Sequence, residues 1–77
     1  MTIQVNFYGQ LADITGKPGL ELEGVHDTQT LQQKIHADFP ALITATYRIA
    51  VDKKIVTENT PFHDGATVSL LPPFSGG

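Results

Sequence analysis

Near the start of the chain, Ile3, Val5 and Phe7 alternate strictly with Gln4, Asn6 and Tyr8. Extended backbone points successive side chains to opposite faces, so a period of two is the mark of a strand with one face buried. In a chain of 77 residues that strand must find its partners and its cover within one core. A domain this small buries only about 60% of its unfolded surface and cannot divide into two cores. The alternation therefore puts a sheet, covered on one side, at the centre of the fold.

The rest of the chain supplies the partners. Gly9 and then Gly16-Lys17-Pro18-Gly19 punctuate a connection to Leu20-Glu21-Leu22-Glu23, a second alternating run that can pair with the first as a hairpin. From Asp27 or Thr28, either of which can accept amide protons at a helix start, Leu31, Ile35 and Phe39 recur every four residues. That spacing predicts one amphipathic helix, which ends at Phe39 because Pro40 disfavours helical geometry before it. Tyr47 to Asp52 reads as a third strand, with Tyr47, Ile49 and Val51 facing one way, and Asp52-Lys53-Lys54 as a tight turn into a brief Ile55-Val56 strand. Asp64-Gly65 then precedes a last strand, Thr67 to Leu71.

The first and last strands are both strongly apolar, as expected if they lie side by side at the sheet centre in a parallel pair. The expected fold is α+β of the β-grasp kind: a mixed sheet of four to five strands with one main helix on one face. If the helix covers Val5, Phe7, Ile49, Val68 and Leu70, the opposite face carries Tyr8, Ala50, Ser69 and Leu71, a partly apolar surface left uncovered. The domain is expected to span residues 1–71, followed by an extended tail over 72–77.

That tail is Pro72-Pro73-Phe74-Ser75-Gly76-Gly77. Neither proline can donate a ladder hydrogen bond, so the strand must end and the tail is expected to project flexibly from the sheet. The two prolines favour an extended start, and the two glycines remove every side-chain atom near the terminal carboxylate. A narrow active-site tunnel in another protein admits such an end. A terminal diglycine alone is weak evidence; joined to a β-grasp domain and a proline-stiffened exit, it points to the Gly77 carboxylate as the working group.

Composition removes other functions. With 5 Lys and Arg against 8 Asp and Glu and no basic stripe, the chain is unsuited to nucleic acid. It has no cysteine, so thiolate catalysis, thiolate metal ligation and iron–sulfur clusters are excluded from the chain itself, and any sulfur it handles is borrowed. Met1-Thr2-Ile3-Gln4 lacks a basic region followed by an apolar stretch, and no window approaches the ~18 apolar residues of a membrane span, so no membrane partner and a cytoplasmic location are expected. His26, His36 and His63 are spaced by 10 and 27 residues, which matches no compact metal motif. Asp13, Asp27 and Asp38 sit where acids cap or solvate, Ser75 lacks a nucleophile's strand–turn–helix setting, and Lys53 and Lys54 fit a solvated turn.

The closing run Leu70-Leu71-Pro72-Pro73-Phe74-Ser75-Gly76-Gly77 resembles that of the small subunit of molybdopterin synthase, the MoaD-type sulfur carrier, of the ubiquitin-like MoaD/ThiS family. The resemblance extends to Ile3–Gly9, to Thr28–Ile35, to Ile49–Asp52 and to Phe62-His63-Asp64-Gly65. Ala12-Asp13 stands where many relatives have an Arg-Glu pair, and Asp52 where asparagine is frequent.

The resemblance implies a carrier without a catalytic site of its own and without a bound cofactor. An adenylating enzyme of the ubiquitin-activating type uses ATP to activate Gly77, and a sulfur donor protein converts it to a thiocarboxylate. The tail, from Pro72 and Pro73 through Phe74, Ser75 and Gly76, then enters the molybdopterin synthase large subunit. There Gly77 delivers sulfur to cyclic pyranopterin monophosphate for molybdenum cofactor biosynthesis, within a heterotetramer whose large subunits hold the catalytic residues. Leu71 and Phe74 are the expected partner contacts. A ThiS-like carrier for thiamine thiazole, or a Urm-like carrier for tRNA thiolation, shares the same reactive end. A β-grasp interaction module with an inert tail is the alternative of a different class.

Overall fold

The structure, a computed structural model, describes residues 1–73. The elements run β1 (Thr2–Phe7), α1 (Gln10–Thr15), β2 (Gly19–Glu23), α2 (Thr28–Asp38), a 3₁₀ turn (Pro40–Ile43), β3 (Arg48–Val51), β4 (Lys54–Val56) and β5 (Thr67–Leu71). The strands form one mixed sheet in the order β2-β1-β5-β3-β4. Only the central β1/β5 pair is parallel, with Val5 opposite Val68 and Phe7 opposite Leu70; β1/β2, β3/β5 and β3/β4 are antiparallel. This is the β-grasp arrangement.

The pleat sends Ile3, Val5 and Phe7, Val68 and Leu70, and Ile49 into one core, where they meet Leu31 and Ile35 of α2, Leu11 of α1 and Leu42 of the 3₁₀ turn. Leu20 and Leu22 of β2 pack against its margin. Phe39, which ends α2, turns its ring edge-on to Phe7 with centroids 6.0 Å apart.

α2 begins where an N-cap acid predicts it: Asp27 is in extended backbone and its Oδ1 accepts from the Thr30 amide at 2.8 Å. Asn59 reinforces that start by accepting from the Thr28 hydroxyl and the Gln29 amide and donating to Asp27 Oδ2. The segment between β4 and β5, which has no periodicity of its own, is thereby strapped across the helix start, with the Phe62 amide donating to the His26 carbonyl. Asp38 faces Lys34 one turn back at 3.1 Å, an exposed pair on the solvent side.

Three details differ from the sequence expectation. The connection after β1 contains a helix, α1, whose six residues are too few to show a period; it forms because Leu11 is drawn fully into the core. Tyr47 lies just before β3, so only Ile49 and Val51 represent that strand on the core side. Ala50 is buried, although it lies on the face that α2 leaves free. In register it sits between Ser69 and Ile55, whose larger side chains shade its single methyl.

Candidate functional site

The end of β5 fixes where the tail leaves. Up to Leu71 the strand is flanked on both sides: the Tyr8 amide donates to the Leu70 carbonyl at 3.1 Å, and Leu71 lies opposite Arg48 of β3. Pro72 and Pro73 have no amide proton and the ladder stops with them. Pro72 is nonetheless held, because it packs on Gly9. A Cβ built on Gly9 would stand 3.0 Å from Pro72 Cγ, and Gly9 has φ 57 and ψ −136, a conformation suited to glycine. Pro72 is half-buried and Pro73 exposed. Phe74, Ser75, Gly76 and Gly77 lie outside the described residues.

On the sheet face away from α2, register places Asn6, Ser69, Ala50 and Ile55 in one row across β1, β5, β3 and β4. One step nearer the tail lie Leu71 and Arg48, with Tyr8 directly after β1. Tyr8 is 47% and Ile55 49% exposed, an unusual amount of solvent contact for large apolar side chains that share a face with the half-buried Leu71. Glu21 and Glu23 of β2 lie exposed on the same face at the opposite edge. The face is thus apolar beside the root of the tail and acidic along one margin. Leu71 is where the sequence placed it; Arg48 and Ile55 were not singled out there, and the signal for them is their register with Leu71 and Ala50.

At the same end of the sheet an open groove of about 600 Å³ runs between the start of α2 and the β3–β4 edge. Tyr47, Ile49, Ile55 and Val56 give it apolar walls, and Gln29, Gln32, Arg48, Glu58 and Asn59 polar ones. Pro73 also lines it. The Tyr47 hydroxyl accepts from Gln32 Nε2 at 3.2 Å and is hydrogen-bonded to His36 Nε2 at 2.8 Å, which fixes that wall.

The ionisable groups with displaced titration sit away from the tail. In the β3–β4 turn Asp52 accepts from the Thr67 amide and pairs with His63 at 2.6 Å. The Thr67 amide, then His63, hold the Asp52 carboxyl below the usual range. The Asp52 carboxylate, then the Asp64 carbonyl, raise His63. Asp27 is lowered by the hydrogen bonds from Thr30 and Asn59 that make it a cap. No pair of these carboxylates shares a pocket. Among the described residues no three His, Cys, Asp or Glu side chains converge as a metal site, and no helix is long and apolar enough to cross a membrane.

Comparison with known proteins follows the same outline. The model of the ThiS family matches residues 5–77. No curated protein matches the chain in sequence. Among solved structures, a Pyrococcus furiosus protein described as molybdopterin converting factor subunit 1 superposes with a TM-score of 0.87 at 17% identity, covering 96% of this chain and 99% of that one. Small archaeal modifier protein 1 from Methanosarcina acetivorans gives 0.82 at 20% identity, covering 99% and 96%. A complex of subunits 1 and 2 of the molybdopterin-converting factor from Helicobacter pylori contains a chain that gives 0.76 at 24% identity, with both chains covered in full.

Proposed function

Because the chain belongs to the ThiS family, we propose that it is a sulfur carrier whose reactive group is the carboxylate of Gly77. The observation that carries this is the extent of the family match, which runs over residues 5–77 and so takes in Gly76 and Gly77. The described geometry supports it. A central strand delivers the tail past Pro72, seated on Gly9, beside a face that offers a partner Tyr8, Leu71 and Ile55.

In the proposed cycle a Gly77 carboxylate oxygen attacks the α-phosphate of ATP on an adenylating enzyme, releasing pyrophosphate and leaving an acyl-adenylate. A free carboxylate is a poor electrophile; the adenylate carries AMP as a good leaving group. A sulfide equivalent from a sulfur donor displaces AMP and leaves a thiocarboxylate, a soft nucleophile that needs no cysteine in the chain. The acceptor we propose is cyclic pyranopterin monophosphate, bound by a molybdopterin synthase large subunit that supplies the acids and bases. The sequence Pro72-Pro73-Phe74 and the likeness to molybdopterin converting factor subunits support that pathway.

A second reading, conjugation of Gly77 to another protein, is favoured by the likeness to the small archaeal modifier protein. Intact mass after incubation with ATP, an adenylating enzyme and a sulfur donor tests the shared chemistry. The expected result is a gain of about 16 Da, oxygen replaced by sulfur, at Gly77 and dependent on ATP. Deletion of Gly76-Gly77 should abolish it while the fold persists; no gain with an enzyme set active on another carrier refutes the proposal. Co-purification with a molybdopterin synthase large subunit, against thiazole synthase or tRNA-thiolating enzymes, separates the pathways.

A further inference from the structure

We propose that the outer edge of β2 is a docking site for an extended, basic segment of a partner protein, which adds to the sheet as a further strand beside Glu21 and Glu23. β2 stands at one end of the strand order, and among the described residues only β1 pairs with it. The register to β1 decides which backbone groups its free side carries. The Phe7 amide donates to the Pro18 carbonyl and the Gly24 amide to the Met1 carbonyl, and ladder bonds in an antiparallel pair recur at every second residue. Leu20 and Leu22 therefore turn their amides and carbonyls to β1, and Gly19, Glu21 and Glu23 turn theirs outwards. Such a row of unpaired donors and acceptors is a template for another strand.

The side chains select which strand fits. On the helix side of the sheet Leu20 and Leu22 are half-buried at the margin of the core, so a partner residue beside them is favoured when it is apolar. On the free face Glu21 and Glu23 are exposed. Glu21 shares a shallow hollow of about 300 Å³ with Asp64, Thr2 and Gln4, and no cation lines it. Opposite charges across a ladder attract and like charges repel, so a partner residue on this face is favoured when it is Lys or Arg. The same glutamates turn away β2 of a second copy, whose own acids would face them across a two-fold axis. Lys17, exposed just before β2, repels a cation at that end and so places the partner's basic residues against Glu21 and Glu23. The partner segment thus alternates apolar and basic residues.

The site uses no residue of the tail and stands independently of the carrier reading. A strand added edge-on leaves Leu71 and Ile55 uncovered, since they lie on β5 and β4.

NMR of the full-length chain, titrated with a synthetic peptide of alternating Lys and Val or with its Glu–Val counterpart, tests this. With the Lys–Val peptide, hydrogen exchange at the Glu21 and Glu23 amides should slow at least ~10-fold, while Leu20 and Leu22, already bonded to β1, stay unchanged. The Glu–Val peptide should do nothing. Glu21→Gln with Glu23→Gln should weaken binding at least ~3-fold in low salt. Glu21→Pro removes one outward amide and no bond to β1, so it should abolish the slowing at Glu23 while the Leu20 and Leu22 amide signals persist. Shifts scattered over the acidic surface without slowing at Glu21 and Glu23 mean charge attraction alone and overturn the proposal. Equal slowing by both peptides, or no slowing at millimolar peptide, also overturns it. Slowing that needs no peptide and grows with protein concentration overturns it in favour of a second copy.

Discussion

Replacing Gly9 by Ala tests whether the root of the tail is set by backbone contact. At φ 57 and ψ −136 an L-residue is strained whatever space surrounds it, at a cost of about 1–3 kcal/mol. The new methyl also stands 3.0 Å from Pro72 Cγ, so Pro72 must move by a few tenths of an ångström or the β1–α1 corner must. Gly16→Ala is the control: φ is 73 and ψ 14 at the end of α1, but nothing lies within 4 Å of the added atom. Both variants gain the same ~0.4–1 kcal/mol from a stiffer unfolded chain, which cancels in the comparison. For a domain of this size each kcal/mol moves Tm by about 4–8 °C. Gly9→Ala should lower Tm by roughly 4–20 °C, more than Gly16→Ala, and should alone shift the amide of Leu71 and the Pro72 and Pro73 ring signals. Thermal unfolding followed by circular dichroism, with NMR of the two variants, reads both. If Gly9→Ala is as stable as the parent, or milder than Gly16→Ala with the proline signals unmoved, the seating of Pro72 on Gly9 is wrong.

Other outcomes follow from the same coordinates. Asp52 and Lys53 both have positive φ, 49 and 73, in a two-residue turn joining Val51 to Lys54, the geometry that favours glycine at its second position. Lys53→Gly should therefore raise stability by about 0.5–1 kcal/mol, read as an upward Tm shift; an unchanged or lower Tm would count against it. The Asp52–His63 pair predicts a pH window. His63 is raised above 6.5, so its contribution is complete below that value and fades as pH rises through the higher folded value. Asp52 is lowered from 3.8, so its contribution is complete above that and is lost as pH falls through the lower folded value. The Tm difference between parent and His63→Gln should be greatest between pH 3.8 and 6.5 and shrink on the alkaline side; a difference flat with pH would refute it. Tyr8→Ala should change stability by no more than about 0.5 kcal/mol while weakening affinity for the proposed large-subunit partner at least ~10-fold, measured by calorimetry.

The sheet was readable from the sequence because its signals are local: alternation in Ile3–Tyr8, the apolar ends, and Asp27 ahead of Leu31 and Ile35. The parallel centre followed because two strongly apolar strands at opposite ends of the chain both need burial. What was not readable depended on packing across sequence. Gln10–Thr15 became helical because Leu11 found a place in the core, a tertiary effect on a segment too short to be periodic. Ala50 had the alternation of an exposed residue and became buried through neighbours on β4 and β5. The strap from Asn59 to the start of α2 involves polar residues 30 or more positions apart, for which no pattern exists in one sequence. Of the site, Leu71 was legible from alternation in β5, whereas Arg48 and Ile55 required the register.

β5 connects the two halves of the proposed function. Its alternation commits Val68 and Leu70 to the core and Ser69 and Leu71 to the free face, so a slip of one residue would bury Leu71 and expose Leu70. Register on both sides, to β1 and β3, forbids that slip, and Pro72 on Gly9 fixes the direction beyond it. The free face and the root of the tail at Pro72 therefore have a fixed relation at Leu71. From there six residues lead to Gly77, a span of at most about 20–22 Å when extended. A partner that covers Tyr8, Leu71 and Ile55 and also reacts with Gly77 must hold its reactive centre within that distance of the face's edge. Lengthening the tail by inserted residues before Ser75 should leave docking affinity intact while sulfur transfer falls, because the carboxylate then overshoots a centre set at fixed depth.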